Sequence, residues 1–396
     1  MTRLLYETDS YLSKFDATVV RIQGEWVVLD RSAFFPGGGG QENDTGWMGG
    51  FEVKSVRSQG EEVLHQVSEH AMAVGDKVDC EIDWERRHDL MRGHTGEHLL
   101  FSMLSKLDPE LELIKIAITP TKKSLVVKGG LSWPMMAQAQ ELANEAIAAQ
   151  VPVSDVWVSK DSELITDIRV KVDRIHGDKV RIVKIGDLDK AACAGVHIQN
   201  TRELKMLLVT KLSSARPVGD YEIDFETGRQ AMRTALRLSN IGLQAAEVVK
   251  AQPEHLVNAL TNLKGELQVA REAVRVYGKQ ALAHLEPEKL QGVRLYSGVF
   301  EGLDKKTLID SANDFVKGDR TVAIMASVDE RLMLVVATSK DLEVDSREVL
   351  SDGLKAVEGK GGGGKNFASG GSSQPNGAKG ALEAAKAGLL ARLTKA

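Results

Sequence analysis

Cysteine is nearly absent from this chain of 396 residues: there are two, Cys80 and Cys193. Two thiols exclude a disulfide framework and predict a reducing, cytoplasmic setting. Long apolar runs are missing as well. The longest are short, as at Ile182-Val183 and Met206-Leu207-Leu208-Val209, which excludes a membrane-spanning helix. The first residues, Met1 to Glu7, lack the apolar stretch of a signal peptide. Basic residues do not dominate either. Lys and Arg number 51 against 56 Asp and Glu, a net charge of −5, which argues against a generally basic, nucleic-acid-binding surface. Local basic candidates remain at Arg86-Arg87, Arg92, Lys122-Lys123 and the C-terminal lysines. What is present is 42% apolar and 27% charged residues, the balance of a soluble globular protein of several domains.

The pattern predicts an α+β multidomain fold. Residues 1–86 read as a small β-barrel. Thr18-Val19-Val20-Arg21-Ile22 and Trp26-Val27-Val28-Leu29 flank a turn at Gln23-Gly24-Glu25, and Phe51 to Val56 alternates with period two. Cys80 lies in an alternating run and reads as a buried strand residue without chemistry. Residues 87–225 mix helices and strands: a helix from near Asp89 to Lys106, a helix capped by Ser132, and a long strand from Leu204 to Leu212. Residues 226–288 favour helix and bend at Pro253. Beyond it, Leu256, Leu260, Leu263, Leu267, Ala270, Val274, Tyr277 and Ala281 form a heptad seam, the mark of a helical hairpin or coiled coil. Residues 289–396 read as a C-terminal α/β domain. Its Gly/Ser tract from Gly359 to Ser373 fits either a disordered linker or ordered structure between helices.

Two short clusters carry chemistry. His94 and His98 stand four residues apart on a helix, so both imidazoles share a face. About a hundred residues later, Cys193 and His197 repeat that spacing. Three nitrogens and a thiolate form a borderline-soft tetrahedral set that suits Zn²⁺. Such an ion lowers the pKa of water toward ~7 or polarises an ester carbonyl. A four-ligand site is closed, however, so a catalytic role requires His197 to bind weakly or the ion to become five-coordinate. A third feature is the run Gly37-Gly38-Gly39-Gly40. It fits a flexible hairpin tip or a backbone that a large ligand must approach closely, and without a following Lys-Ser/Thr it is not a P-loop.

Together Phe35-Pro36 with Gly37 to Gln41, Asp44-Thr45-Gly46, Arg92-Gly93-His94-Thr95-Gly96-Glu97-His98-Leu99-Leu100, and Gly186-Asp187 followed by Cys193-Ala194-Gly195-Val196-His197 and Thr201 resemble the editing module of alanyl-tRNA synthetase. The chain begins directly with the barrel, with no aminoacylation domain ahead of it, and so resembles the long form of the free-standing editing proteins called AlaX. Residues 226–396 resemble the synthetase's C-terminal domain. The resemblance implies hydrolysis of mischarged alanine tRNA, Ser-tRNA(Ala) and in places Gly-tRNA(Ala). It implies Zn²⁺ on His94, His98, Cys193 and His197, with catalysis by His94, His98 and Cys193 through the metal. It places Gly37, Gly38, Gly39, Gly40, Gln41 and Thr45 near the substrate. It also implies a C-terminal region that captures tRNA and forms a homodimer.

The physical need for such an enzyme is clear: a site shaped for alanine excludes glycine and serine poorly, so a second sieve is required. This chain departs from the family loop Cys-Gly-Gly-Thr-His at Ala194 and Val196. It also has Ile114 to Ile116 where the family carries a polar, hydroxyl-reading residue, leaving Thr119 or Thr45 to compensate. Three rival readings stay open. One is a structural zinc knot in an RNA-binding protein, one a scaffold dimerising through the heptad seam, and one a protease built on His94-Thr95-Gly96-Glu97-His98 as H-x-x-E-H with Glu97 as base. Under the editing reading Glu97 is expected on the outer side of the helix or behind the ligands.

Overall fold

A computed structural model describes residues 1–162, 165, 168 and 178–394. The chain forms two compact units, Met1–Leu243 and Gln244–Ala396. The first opens with strands β1 (Arg3–Leu4), β2 (Lys14–Gln23), β3 (Trp26–Leu29), β4 (Arg31–Ser32), β5 (Gly46–Met48), β6 (Phe51–Gln59), β7 (Glu62–Val67) and β8 (Lys77–Ile82). In the order β2-β3-β7-β6-β5-β8 they close into a barrel, and β1 pairs in parallel with β4. Alternation sets the inside: along β8, Val78, Cys80 and Ile82 are buried while Lys77, Asp79 and Glu81 face out. Burial pushes the Cys80 thiol up to about 12, so it stays an inert core group. His65 is also interior, with Nδ1 on the Val27 carbonyl and Nε2 beside Ser32 Oγ. Burial holds its imidazolium down to about 4, so this pair is a neutral structural contact.

Helix α1 (Trp84–Leu107) follows, then β9 (Glu112–Ile118), β10 (Lys123–Lys128), α2 (Trp133–Ala148), β11 (Val153–Ser159), β12 (Lys179–Ile185), β13 (Asp189–Ala192), β14 (Leu207–Ser214), β15 (Asp220–Thr227) and α3 (Gly228–Val248). One antiparallel sheet has the order β14-β15-β10-β9 and another β11-β12-β13. Helix α1 begins at Trp84, earlier than the apolar spacing predicts, because Asp83 caps it by accepting the Arg86 amide. Its stretch from Gly93 to Leu104 is buried throughout, so it is a core helix rather than a surface one. Ser132 caps α2 through the Met135 amide. The long strand starts at Leu207, not Leu204, because Thr201–Leu204 form a 3-10 turn closed by a capping box between Asn200 and Glu203. Strand β15 was not expected, although Ile223 and Phe225 alternate with Glu222, Asp224 and Glu226.

In the second unit, Pro253 opens a short 3-10 turn ahead of α4 (Leu256–Ala283). Along its heptad seam Leu260, Leu263, Leu267, Val274 and Tyr277 are exposed. Strands β16 (Glu288–Leu290) and β17 (Val293–Glu301), α5 (Lys305–Phe315), β18 (Thr321–Val328), β19 (Leu332–Thr338), α6 (Ser346–Lys355), β20 (Lys360–Gly364), β21 (Phe367–Ser372) and α7 (Ala378–Leu393) complete it. Its sheet runs β16-β17-β18-β19-β21-β20, with β18 and β19 buried on both faces. The Gly/Ser tract is therefore an ordered hairpin of β20 and β21 at one sheet edge.

Candidate metal centre

Helix α1 carries His94 and His98 one turn apart, and the loop after β13 carries Cys193 and His197. One ligand atom from each of the four lies within 4.8 Å of the others. Each histidine is oriented from behind. His94 Nδ1 is 2.7 Å from Gln41 Oε1, His98 Nδ1 2.9 Å from Asp189 Oδ2, and His197 Nδ1 3.1 Å from Thr95 Oγ1. Every Nδ1 is thus engaged and every Nε2 is left for the shared centre, the arrangement that orients metal-binding imidazoles. Cys193 Sγ lies 3.5 Å from His94 Nε2 and 3.3 Å from His197 Nε2. A tetrahedral Zn²⁺ with Zn–S near 2.3 Å and Zn–N near 2.05 Å has S···N edges of about 3.5 Å, which these two separations match.

The charges agree with a ligand set. Burial opposes the Cys193 thiolate, but the neighbouring His94 and His197 outweigh it and hold the thiol well below its usual range. Burial, reinforced by His94, pushes the His197 imidazolium down to about 3, so this ring is neutral and open to coordination. Burial also disfavours the His98 cation, but hydrogen bonds to Asp189 and Cys193 prevail and raise it to about 10.

The loop geometry depends on three supports. A Cβ on Gly195 would collide with the His94 ring, so only glycine lets the loop close on the helix. Arg181 is buried and donates to the Cys193 and Gly195 carbonyls. Gln41 Oε1 accepts the Val196 amide at 3.2 Å as well as facing His94. The departures at Ala194 and Val196 leave this framework intact, since Val196 contributes its backbone amide.

The glycine run is ordered, not a loose tip. All four residues have positive φ: 81° at Gly37, 144° at Gly38, 58° at Gly39 and 90° at Gly40. Gln41 bridges to Ile118 on β9, where the Ile118 amide donates to Gly40 O and the Glu42 amide to Ile118 O. Gly38 and Gly39 have open space where a side chain would stand. The loop is fixed from below by a fully buried ion pair, Arg87 to Asp44, and Asp44 also accepts the Phe35 amide.

Other residues weighed from the sequence have local contacts of their own. Thr45 gives its carbonyl to Asp83 at the start of α1. Thr119 closes the β9–β10 turn through Lys122. Ile116 lies against Gly40. Five of the basic candidates are paired: Arg87 with Asp44, Arg86 with Glu42, Lys122 with Glu222, and Arg92 and Lys123 with Asp89. Glu97 is buried and so does not occupy the outer side of α1. The residues behind the ligands, Asp189 and Thr95, were missed. Thr95 lies inside the motif itself, but Asp189 carries no spacing signal and is brought in by the β12–β13 hairpin.

Residues 8–86 match a family described as tRNA synthetases class II (A), and residues 180–218 match the threonyl and alanyl tRNA synthetase second additional domain. The alanyl-tRNA editing protein AlaX-L of Pyrococcus horikoshii is 29% identical over 402 residues, covering 93% of this chain and 94% of that protein. An alanine–tRNA ligase of Archaeoglobus fulgidus is 27% identical over 392 residues, covering 93% of this chain but 42% of the ligase. The chain thus spans less than half of that ligase. Among solved structures, the C-Ala domain from Aquifex aeolicus alanyl-tRNA synthetase shares 26% identity and covers 27% of this chain and 99% of that domain, with a TM-score of 0.26. The resemblance read from the motifs holds along nearly the whole chain. Among the described residues, no helix is long and apolar enough to cross a membrane.

Proposed function

On the premise of this resemblance to alanyl-tRNA editing proteins, we propose that the chain is a hydrolase that removes wrongly attached amino acids from alanine tRNA, acting on Ser-tRNA(Ala) and also on Gly-tRNA(Ala). The observation that carries the reading is the quartet of three buried histidines, His94, His98 and His197, with the half-buried Cys193, all three Nδ1 atoms being engaged from behind. Zn²⁺ held there supplies a Lewis acid for the ester carbonyl and for water. The chain's own groups do the rest. Gln41, its Oε1 engaged by His94 and Val196, keeps a buried Nε2 with no partner, a donor for an acyl carbonyl or hydroxyl. The open sides of Gly38 and Gly39 leave room for the terminal ribose to pass over the loop.

A closed, purely structural zinc knot shares the same four donors. The unpartnered Gln41 Nε2 favours the hydrolase, because a knot requires no orphan donor beside it. The decisive experiment is deacylation of Ser-, Gly- and Ala-charged alanine tRNA, with and without chelator, by wild type, His98→Ala and Cys193→Ala. The expected result is rapid loss of seryl and glycyl esters, little loss of alanyl ester, and a fall of about a hundredfold or more after chelation or either substitution. Intact Ser-tRNA(Ala) in the presence of metal-loaded wild type refutes the function. Full activity in both variants refutes the mechanism.

The second unit fits tRNA capture and self-association. Lys360 and Lys365 flank the four glycines of β20, two cations beside a bare backbone that can follow phosphates. The exposed seam of α4 fits a homodimer contact. Removal of residues 290–396 should weaken tRNA binding and flatten its salt dependence. An unchanged affinity and salt slope would sink this part.

A further inference from the structure

Glu97 is 1% exposed, yet Oε1 of its carboxylate has no hydrogen-bond partner among the described residues. Its other oxygen lies 3.9 Å from His98 Nε2, beyond hydrogen-bond length. That nitrogen is the one facing the shared centre, because Asp189 occupies Nδ1. Glu97 follows His94 by three residues on α1, so its side chain shares the face that carries the ligands. A buried carboxylate without a donor is an expensive group to keep, unless a donor arrives with the ligand. Beside the same histidines, the buried Gln41 Nε2 is a donor without an acceptor. One orphan acceptor and one orphan donor around a Lewis-acid site complement an ester that carries an ammonium group next to its carbonyl.

Building on the editing reading, we infer that Glu97 binds the α-ammonium group of the esterified amino acid. A cation is favoured over the serine hydroxyl because charge-assisted hydrogen bonds are the strong ones. The free amino group is common to glycine, serine and alanine. Glu97 therefore does not choose between side chains. It selects unblocked aminoacyl esters and spares those whose amine is absent or acylated, including nascent peptides on tRNA.

The test compares Ser-tRNA(Ala) with the glyceryl ester made from it by nitrous-acid deamination, using metal-loaded wild type and Glu97→Gln. Metal content is measured in both proteins. Wild type should favour the seryl ester by about tenfold to a hundredfold in kcat/KM, and Glu97→Gln should bring the ratio near one with metal content unchanged. A wild-type ratio near one overturns the inference without recourse to any variant. An equal loss on both esters in Glu97→Gln overturns it too, since a carboxylate acting on water or on the fold does not distinguish them. Should wild type cleave neither ester, the hydrolase reading fails, and the ligand question passes to non-hydrolysable 3′-amide analogues of seryl- and glyceryl-adenosine. Calorimetric preference for the amine, abolished by Glu97→Gln, then upholds the inference. Equal binding, or none, removes it.

Discussion

The chain contains two runs of four glycines, and they solve different problems. Gly37–Gly40 is a loop in which every residue takes positive φ, a conformation that L side chains avoid. Gly361–Gly364 lies in β20, an ordinary strand, where glycine serves spacing instead. There a Cβ on Gly361 would stand 2.6 Å from Gly370 Cα, and one on Gly363 would stand 2.5 Å from Ala368 Cα. The first run thus uses the freedom of glycine, and the second its smallness. Composition alone does not separate these two uses; the neighbouring backbone does.

Substitutions can break this contrast. The largest effect is expected at Gly40→Ala, which suffers both penalties: φ of 90° and a Cβ 2.6 Å from the Ile116 carbonyl oxygen. Urea unfolding should show a loss of about 2–4 kcal/mol, and metal affinity should fall because Gln41 is displaced from His94. Gly363→Ala should cost about 1–3 kcal/mol in the second unit while metal affinity holds, a pairing that equilibrium unfolding and metal titration can check together. Gly39→Ala isolates conformation from space, since φ is 58° with nothing within 4 Å of the new Cβ. It should cost about 1 kcal/mol. Gly362→Ala should be the mildest, within about 0.5 kcal/mol in either direction, because its side is open and its backbone is strand. If Gly362→Ala proves as damaging as Gly39→Ala, the distinction between the runs is lost.

Local chemistry explains what was legible beforehand. The spacing of His94 and His98 exposed a helix face, and Cys193 with His197 completed the donor set, because metal ligands leave short, regular signatures. The turn at Gly24 and the paired strands β18 and β19 were legible from alternation and turn residues. The start of α1 was obscured because Asp83, its cap, precedes the apolar spacing by a full turn. Strand β15 was hidden by its acidic face, which alternation marked but composition disguised. The order of the Gly/Ser tract was undecidable from propensity, since its pairing partner β19 lies outside the tract. Asp189 and Glu97 needed three dimensions: one comes from a hairpin far along the chain, and the other depends on which side of a wholly buried helix it faces.

The Arg87–Asp44 pair has a consequence for motion. Both side chains are fully enclosed, and Arg87 also donates to the carbonyls of Ser10 and Ala33. Lifting the glycine loop alone would leave the buried Arg87 charge without its carboxylate, so loop and helix should open only together. In native-state amide exchange, the Phe35 amide on Asp44 and the buried amides of α1 should share one opening free energy, and Gly39 at the tip should exchange freely. The glycine loop is then rigid in its frame and mobile only at its crest.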